Sequence, residues 1–179
     1  MLDLYARRFN DAPLRTDEYV ISADEKTSIQ ARIRKHATTP SAPSQPTRVE
    51  AEYFRGGSLA YLAAWDVHRA RVFGRCEQTT GIEPFDRLED HWPTLRLIHL
   101  PVHASWLNQV EIYFSVVQRK VVSPNDFHTL DEVETRLLDF QQYYEQIATP
   151  FEWKFTKDDL NALLERISTH EGAALTPAA

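Results

Sequence analysis

This 179-residue chain is poor in the residues that cross-link or punctuate a fold: one cysteine, one methionine and five glycines. A single thiol, Cys76, rules out an internal disulfide framework, which fits a reducing, cytoplasmic setting. No apolar run approaches the roughly 18 residues of a membrane span, so no membrane partner is expected. The opening MLDLYARRFND lacks the apolar stretch and small-residue site of a signal peptide. No glycine-rich phosphate loop and no nucleophile elbow occurs. Positive charge is also in deficit, with 20 Lys and Arg against 26 Asp and Glu, a net charge of −6. That weighs against a broad DNA-coating surface while leaving room for a local basic patch.

What remains is ordinary globular composition, 42% hydrophobic and 26% charged, at a length suited to one domain. Its most organised stretch is 95–120, LRLIHLPVHASWLNQVEIYFSVVQRK. Residues 95–100 read as a short buried strand closed by Pro101. Ser105 is a candidate N-cap for a helix from Trp106. Leu107, Val110, Phe114, Val117 and Val121 then recur at steps of three and four, an apolar stripe facing a core. Glu111 shares the edge of that stripe, with Asn108, Ser115 and Gln118 forming a narrower polar stripe beside it. A carboxylate there needs a cation, a donor or a metal, although an exposed helical salt bridge satisfies it equally.

Along the rest of the chain, residues 1–17 suggest a short helix around 4–9. Residues 19–23, YVISA, read as a strand that delivers Asp24 at its end, either as a turn former or as a positioned ligand. Glu25 would face the other way. Residues 32–36, RIRKH, are a basic cluster, and 37–47, ATTPSAPSQPT, a solvated Pro/Ser-rich loop. Residues 59–65 and 71–76 read as a hairpin turning at 66–69, with Asp66 in the turn. Thr129 and Glu132 form a capping box for a helix bearing Leu130, Val133, Leu137, Phe140, Tyr144 and Ile147. Phe151, Trp153 and Phe155 alternate as core-facing aromatics, and Thr156 caps a last helix with Leu160, Leu163, Leu164 and Ile167 on one face. Zinc at His99 and His103 with Cys76 or His91 is disfavoured, because proline separates the two histidines.

Two strings carry a resemblance. HLPVHASWLNQVEIYFSVVQRK, continuing into PNDFHTLDEVETRLLDFQQYYEQIATPFEWKFT, resembles the last catalytic block and closing segment of DDE-superfamily transposases of the mariner-related bacterial insertion-sequence group. ISADEKTSIQA resembles that family's first catalytic block. The resemblance implies an α/β, RNase H-like mixed sheet with flanking helices. It places catalytic, metal-binding carboxylates at Asp24 and Glu111, with Mg²⁺ or Mn²⁺ as cofactor. It also implies transposon-end DNA as partner, homo-oligomers, and two-ion phosphodiester cleavage and strand transfer.

One part of the family pattern is missing. Only 17 residues, QTTGIEPFDRLEDHWPT, separate Glu77 from Leu95, where relatives place a strand ending in the second catalytic Asp between two helices. A single strand–helix–strand unit already needs roughly 30 residues. The expectation is therefore a truncated domain over 1–168, without a preceding helix-turn-helix module and with a disordered tail at 169–179. Catalysis would be lost, with Asp86 and Asp90 poorly placed to rescue it. The alternatives are a non-catalytic DNA- or protein-interaction remnant and a metal-dependent nuclease with a substitute carboxylate. To repair the sheet, 95–100 would pair in parallel with 19–23 as one of four strands, crossing over by a helix at 84–91.

Overall fold

A computed structural model describes residues 1–49, 51–78, 94–99 and 105–174, with side chains to residue 167. The chain is mixed α/β. Three antiparallel strands, β3 (Ile21–Arg34), β4 (Tyr53–Asp66) and β5 (Arg71–Glu77), lie in that order in one sheet. A two-residue hairpin, β1 (Arg8–Phe9) with β2 (Ala12–Pro13), follows the short helix α1 (Leu2–Tyr5). Strand β4 is central: Leu59, Tyr61, Ala63 and Trp65 on one face enter the core, and Ala60 and Leu62 between them are buried as well. Asp66 makes the turn into β5, its Oδ1 accepting the His68 and Arg69 N–H groups, each at 3.1 Å. Asp66 is thus the turn former expected from the sequence.

The helices cover one face of this sheet. A 3₁₀ turn (Ser105–Leu107) leads into α2 (Val110–Val117), which continues as a π-helix (Gln118–Val122). Leu107, Val110, Phe114, Val117 and Val121 are all buried, as their spacing requires, and Tyr113 joins them. Helix α3 (Leu130–Ile147) starts at the expected capping box: Glu132 N–H donates to Thr129 Oγ1 at 3.2 Å, and Glu132 Oε2 accepts from His128 N–H at 2.8 Å. Helix α4 (Lys157–Ala174) starts in the same way, with Thr156 and Asp159 exchanging hydrogen bonds. Between them Phe151 stacks on Trp65 (centroids 4.5 Å apart), Trp153 meets Tyr5 (5.1 Å) and Phe155 meets Trp106 (5.6 Å).

Several expectations need correction. Asp24 does not end a short strand. Backbone pairing of Asp24 with Ala63, Glu25 with Leu62 and Lys26 with Tyr61 carries β3 on to Arg34. Residues 94–99 belong to no strand, so among the described residues 95–99 do not pair with the Asp24 strand and every strand pairing is antiparallel. A parallel strand is buried on both faces. Leu95 and Ile98 instead stay 37% and 43% exposed, and the Arg96 guanidinium sits 5.1 Å from the Phe9 ring centroid. The helix near 4–9 ends at Tyr5, because Arg7 and Asn10 adopt positive φ and the chain turns into the β1–β2 hairpin. The helix after Ser105 begins at Val110, with Gln109 at its N-cap. At the other end α4 runs to Ala174, so residues 169–174 are helical and not tail. The expected crossover helix at 84–91, Asp86 and Asp90 lie outside the described residues.

Beyond the core, β3 and β4 run on as a two-stranded arm. Arg32 pairs with Arg55, Ile33 with Phe54 and Arg34 with Tyr53. The same register reaches Thr39–Arg48 and Ala42–Gln45 through single bridges. The Pro/Ser-rich loop expected at 37–47 is the exposed tip of this arm.

Candidate functional site

Asp24 and Glu111, 87 positions apart in sequence, come together where β3 passes under the start of α2. The fastening is a chain of side-chain hydrogen bonds. Val110 N–H donates to Ser22 Oγ (2.9 Å), and Ser22 Oγ donates to Asn108 Oδ1. Asn108 Nδ2 donates to the Ala23 carbonyl (3.1 Å) and to Asp24 Oδ2 (3.1 Å). Asp24 Oδ1 accepts Glu25 N–H at 2.8 Å, so both carboxylate oxygens are already held. Ser22 and Asn108 are buried, and that chain satisfies their polar groups.

Alternation along β3 places Ser22, Asp24 and Lys26 on the face that meets α2. Glu111 follows Asn108 by one turn, its N–H donating to the Asn108 carbonyl at 3.1 Å. Tyr5 fixes the same turn from the other side. Its hydroxyl donates to the Leu107 carbonyl (2.8 Å) and accepts Gln109 N–H (3.3 Å), and burial raises its pKa above the ordinary tyrosine value.

The electrostatics bear the mark of two acids in one place. The Glu111 carboxyl is pushed above the usual glutamate range, first by burial and then by the negative charge of Asp24, while Lys26 pulls it back. Glu111 and Lys26 line one open groove of about 380 Å³ with Ser115, Gln118, Arg119 and Ser123. A wider groove of about 490 Å³ lies at the start of α3 among Asp126, Asp131, Glu132, Arg136 and Asp139, and includes neither member of the pair.

Among the described residues the donor set at this pair does not suit two divalent ions. Among the described residues no group of three or more His, Cys, Asp or Glu side chains could hold a metal. Two carboxylates, one with both oxygens engaged, are at most the one or two that a single loosely held Mg²⁺ takes from protein. Two ions bracketing a phosphate need more ligands than these.

Sequence reading found both carboxylates and the polar stripe that contains Asn108. It missed Ser22 and Lys26, although both lie two residues from Asp24 and therefore share its face. Ser115 is exposed and donates to the Glu111 carbonyl at 2.9 Å, so it belongs to the helix surface. The chain matches no family model, no curated protein and no solved structure.

Proposed function

We propose that this chain is a truncated DDE-superfamily transposase domain of RNase H-like ancestry, whose parent activity was metal-dependent cleavage and transfer of DNA strands. The observation that carries this reading is the Asn108 fastening. It binds the strand of one matching sequence block to the helix of the other, and so joins Asp24 to Glu111. Those are the two carboxylates that the resemblance assigns to catalysis. The interval between Glu77 and Leu95 has no room for the block bearing the third. Two ligands do not fit a two-ion centre, so the domain retains the site without its reaction.

The test uses purified protein and supercoiled plasmid with Mg²⁺ or Mn²⁺. Nicking is expected to equal that of a protein-free control, in wild type and in Glu111→Ala alike. Mn²⁺ binding, followed by electron paramagnetic resonance, is expected to be weak and to disappear in Asp24→Asn and in Glu111→Gln. Nicking abolished by Glu111→Ala would establish a working nuclease instead. Mn²⁺ binding unaffected by either substitution would remove the carboxylate pair from any metal site.

A further inference from the structure

Among the described residues β3 and β5 are the outer strands of the sheet, and they are protected differently. Strand β5 carries Arg71, Arg75 and Glu77, charges that discourage another strand from pairing beside it. Strand β3 is entered through YVISA, with no charge before Asp24. Tyr19 and Ile21 in that stretch are 61% and 43% exposed. An apolar outer strand is a template for pairing with another chain unless something blunts it.

The register shows which backbone groups face outward. Val67 N–H donates to the Val20 carbonyl at 3.0 Å, so Val20 turns its backbone toward β4. Ser22 opposite Trp65 and Asp24 opposite Ala63 follow at steps of two and turn the same way. Ala23 and Glu25, one residue out of step, point their backbone groups to the outer edge. Among the described residues no strand pairs with them there, and side chains take its place. Asn108 Nδ2 donates to the Ala23 carbonyl at 3.1 Å, and Glu25 N–H donates to Asp24 Oδ1 at 2.8 Å. The two contacts are locked together, because Asn108 Nδ2 also donates to Asp24 Oδ2 at 3.1 Å. Asn108 is buried, and Val110 N–H anchors its turn to Ser22 Oγ at 2.9 Å.

We propose that Asn108 and Asp24 form an edge cap, two side chains standing where a further strand would pair. The cap keeps β3 of one copy from pairing with β3 of another. This role needs no reaction at the carboxylate pair and does not rest on the function proposed above.

The experiment compares full-length variants by sedimentation velocity over a range of concentrations and by amide hydrogen exchange. Asn108→Ala is expected to form species larger than those of wild type, in proportions that rise with concentration. Its Glu25 amide should exchange at least about tenfold faster, because the carboxylate that accepts it is no longer held. The Asp24 amide, which faces β4, should change less. Adding Ala23→Pro is expected to restore wild-type sedimentation, since proline removes a donor from the outer edge and none from the β3–β4 ladder. Gly74→Ala crowds the buried Tyr61 ring with the cap intact, so it separates edge pairing from a general loss of stability. It should sediment like wild type. If Asn108→Ala does not fold, Asp24→Ala carries the same test, because it removes the acceptor of Glu25 N–H and leaves Asn108 bonded to Ser22 and Ala23. Unchanged sedimentation or unchanged Glu25 exchange in the cap variants would overturn the proposal. So would equal association of Gly74→Ala, or association that Ala23→Pro does not reverse.

Discussion

Glu111 sits where its charged form is disfavoured, and the consequence can be worked out with its sign. Burial and Asp24 raise its folded-state pKa above the unfolded value. Between those two values the native state binds more protons than the unfolded chain, so stability falls as pH rises through that window. Below the ordinary glutamate range the carboxyl is neutral in both states and costs nothing. Glu111→Gln, which removes the charge at every pH, is therefore expected to melt higher than wild type at pH 7.5. The difference should shrink toward zero near pH 4. Thermal melts at the two pH values decide it, and a Gln variant that melts lower at pH 7.5 would mean that Lys26 outweighs Asp24. At this scale the sequence was legible where a residue interrupts a pattern, as Glu111 does on an apolar stripe. Ser22 was not legible. A small hydroxyl in an apolar run reads as neutral filler until the fold sets Asn108 and Val110 N–H against it.

At the scale of elements, helices were easier to read than strands. The stripes of α2 and α3 and both Thr caps are local signals, and local signals survive folding. Strand β3 was read too short because its apolar alternation stops at Asp24. At Asp24 and Lys26 its inward face lines the site, and irregularities at 26–29 and 30–32 then shift the period, so that Ile29 and Ala31 rejoin the core out of step. Residues 95–99 show the opposite failure, an apolar run that reads as a strand and pairs with nothing among the described residues. The tie between sheet and helices also carries a prediction. Tyr61 on β4 is fully buried, with its hydroxyl 3.1 Å from Tyr113 Oη on α2 and donating to Gln141 on α3 at 2.9 Å. Burial pushes its pKa up to about 12, which keeps the hydroxyl neutral and donating. Gly74 on β5 lies against this ring, and an added Cβ would come 2.5 Å from the hydroxyl oxygen and 2.7 Å from ring carbons. With the ring held at both ends, Gly74→Ala is expected to cost about 1–3 kcal/mol of stability through overpacking. Urea denaturation measures it, and a loss under about 0.5 kcal/mol would show that the ring can move aside.

At the scale of the molecule, the element that closes the structure is the segment between α3 and α4, which has no regular secondary structure. Trp65, fully buried at the end of β4, has Phe151 stacked on it and Tyr113 and Tyr144 beside it, with centroids 6.3 and 6.2 Å away. Two residues on, Trp153 packs on Tyr5, the same tyrosine whose hydroxyl holds the turn before Glu111. Phe155 then packs on Trp106 at the opening of that turn. One short strap thus couples the N-terminal helix, the sheet and the helix of the carboxylate pair. If that coupling is energetic, removing one contact weakens the whole unit and not only the strap. Phe151→Ala strips an aromatic neighbour from Trp65 but leaves part of its own site open to solvent. The expected cost is about 2–3 kcal/mol, below the full price of a wholly buried phenylalanine. Urea unfolding followed by far-ultraviolet circular dichroism and by tryptophan fluorescence should show one coincident transition, displaced equally for both probes. A fluorescence transition that moves ahead while the circular dichroism midpoint stays in place would show the strap peeling away alone. The Tyr5 contacts around Glu111 would then have to stand without it.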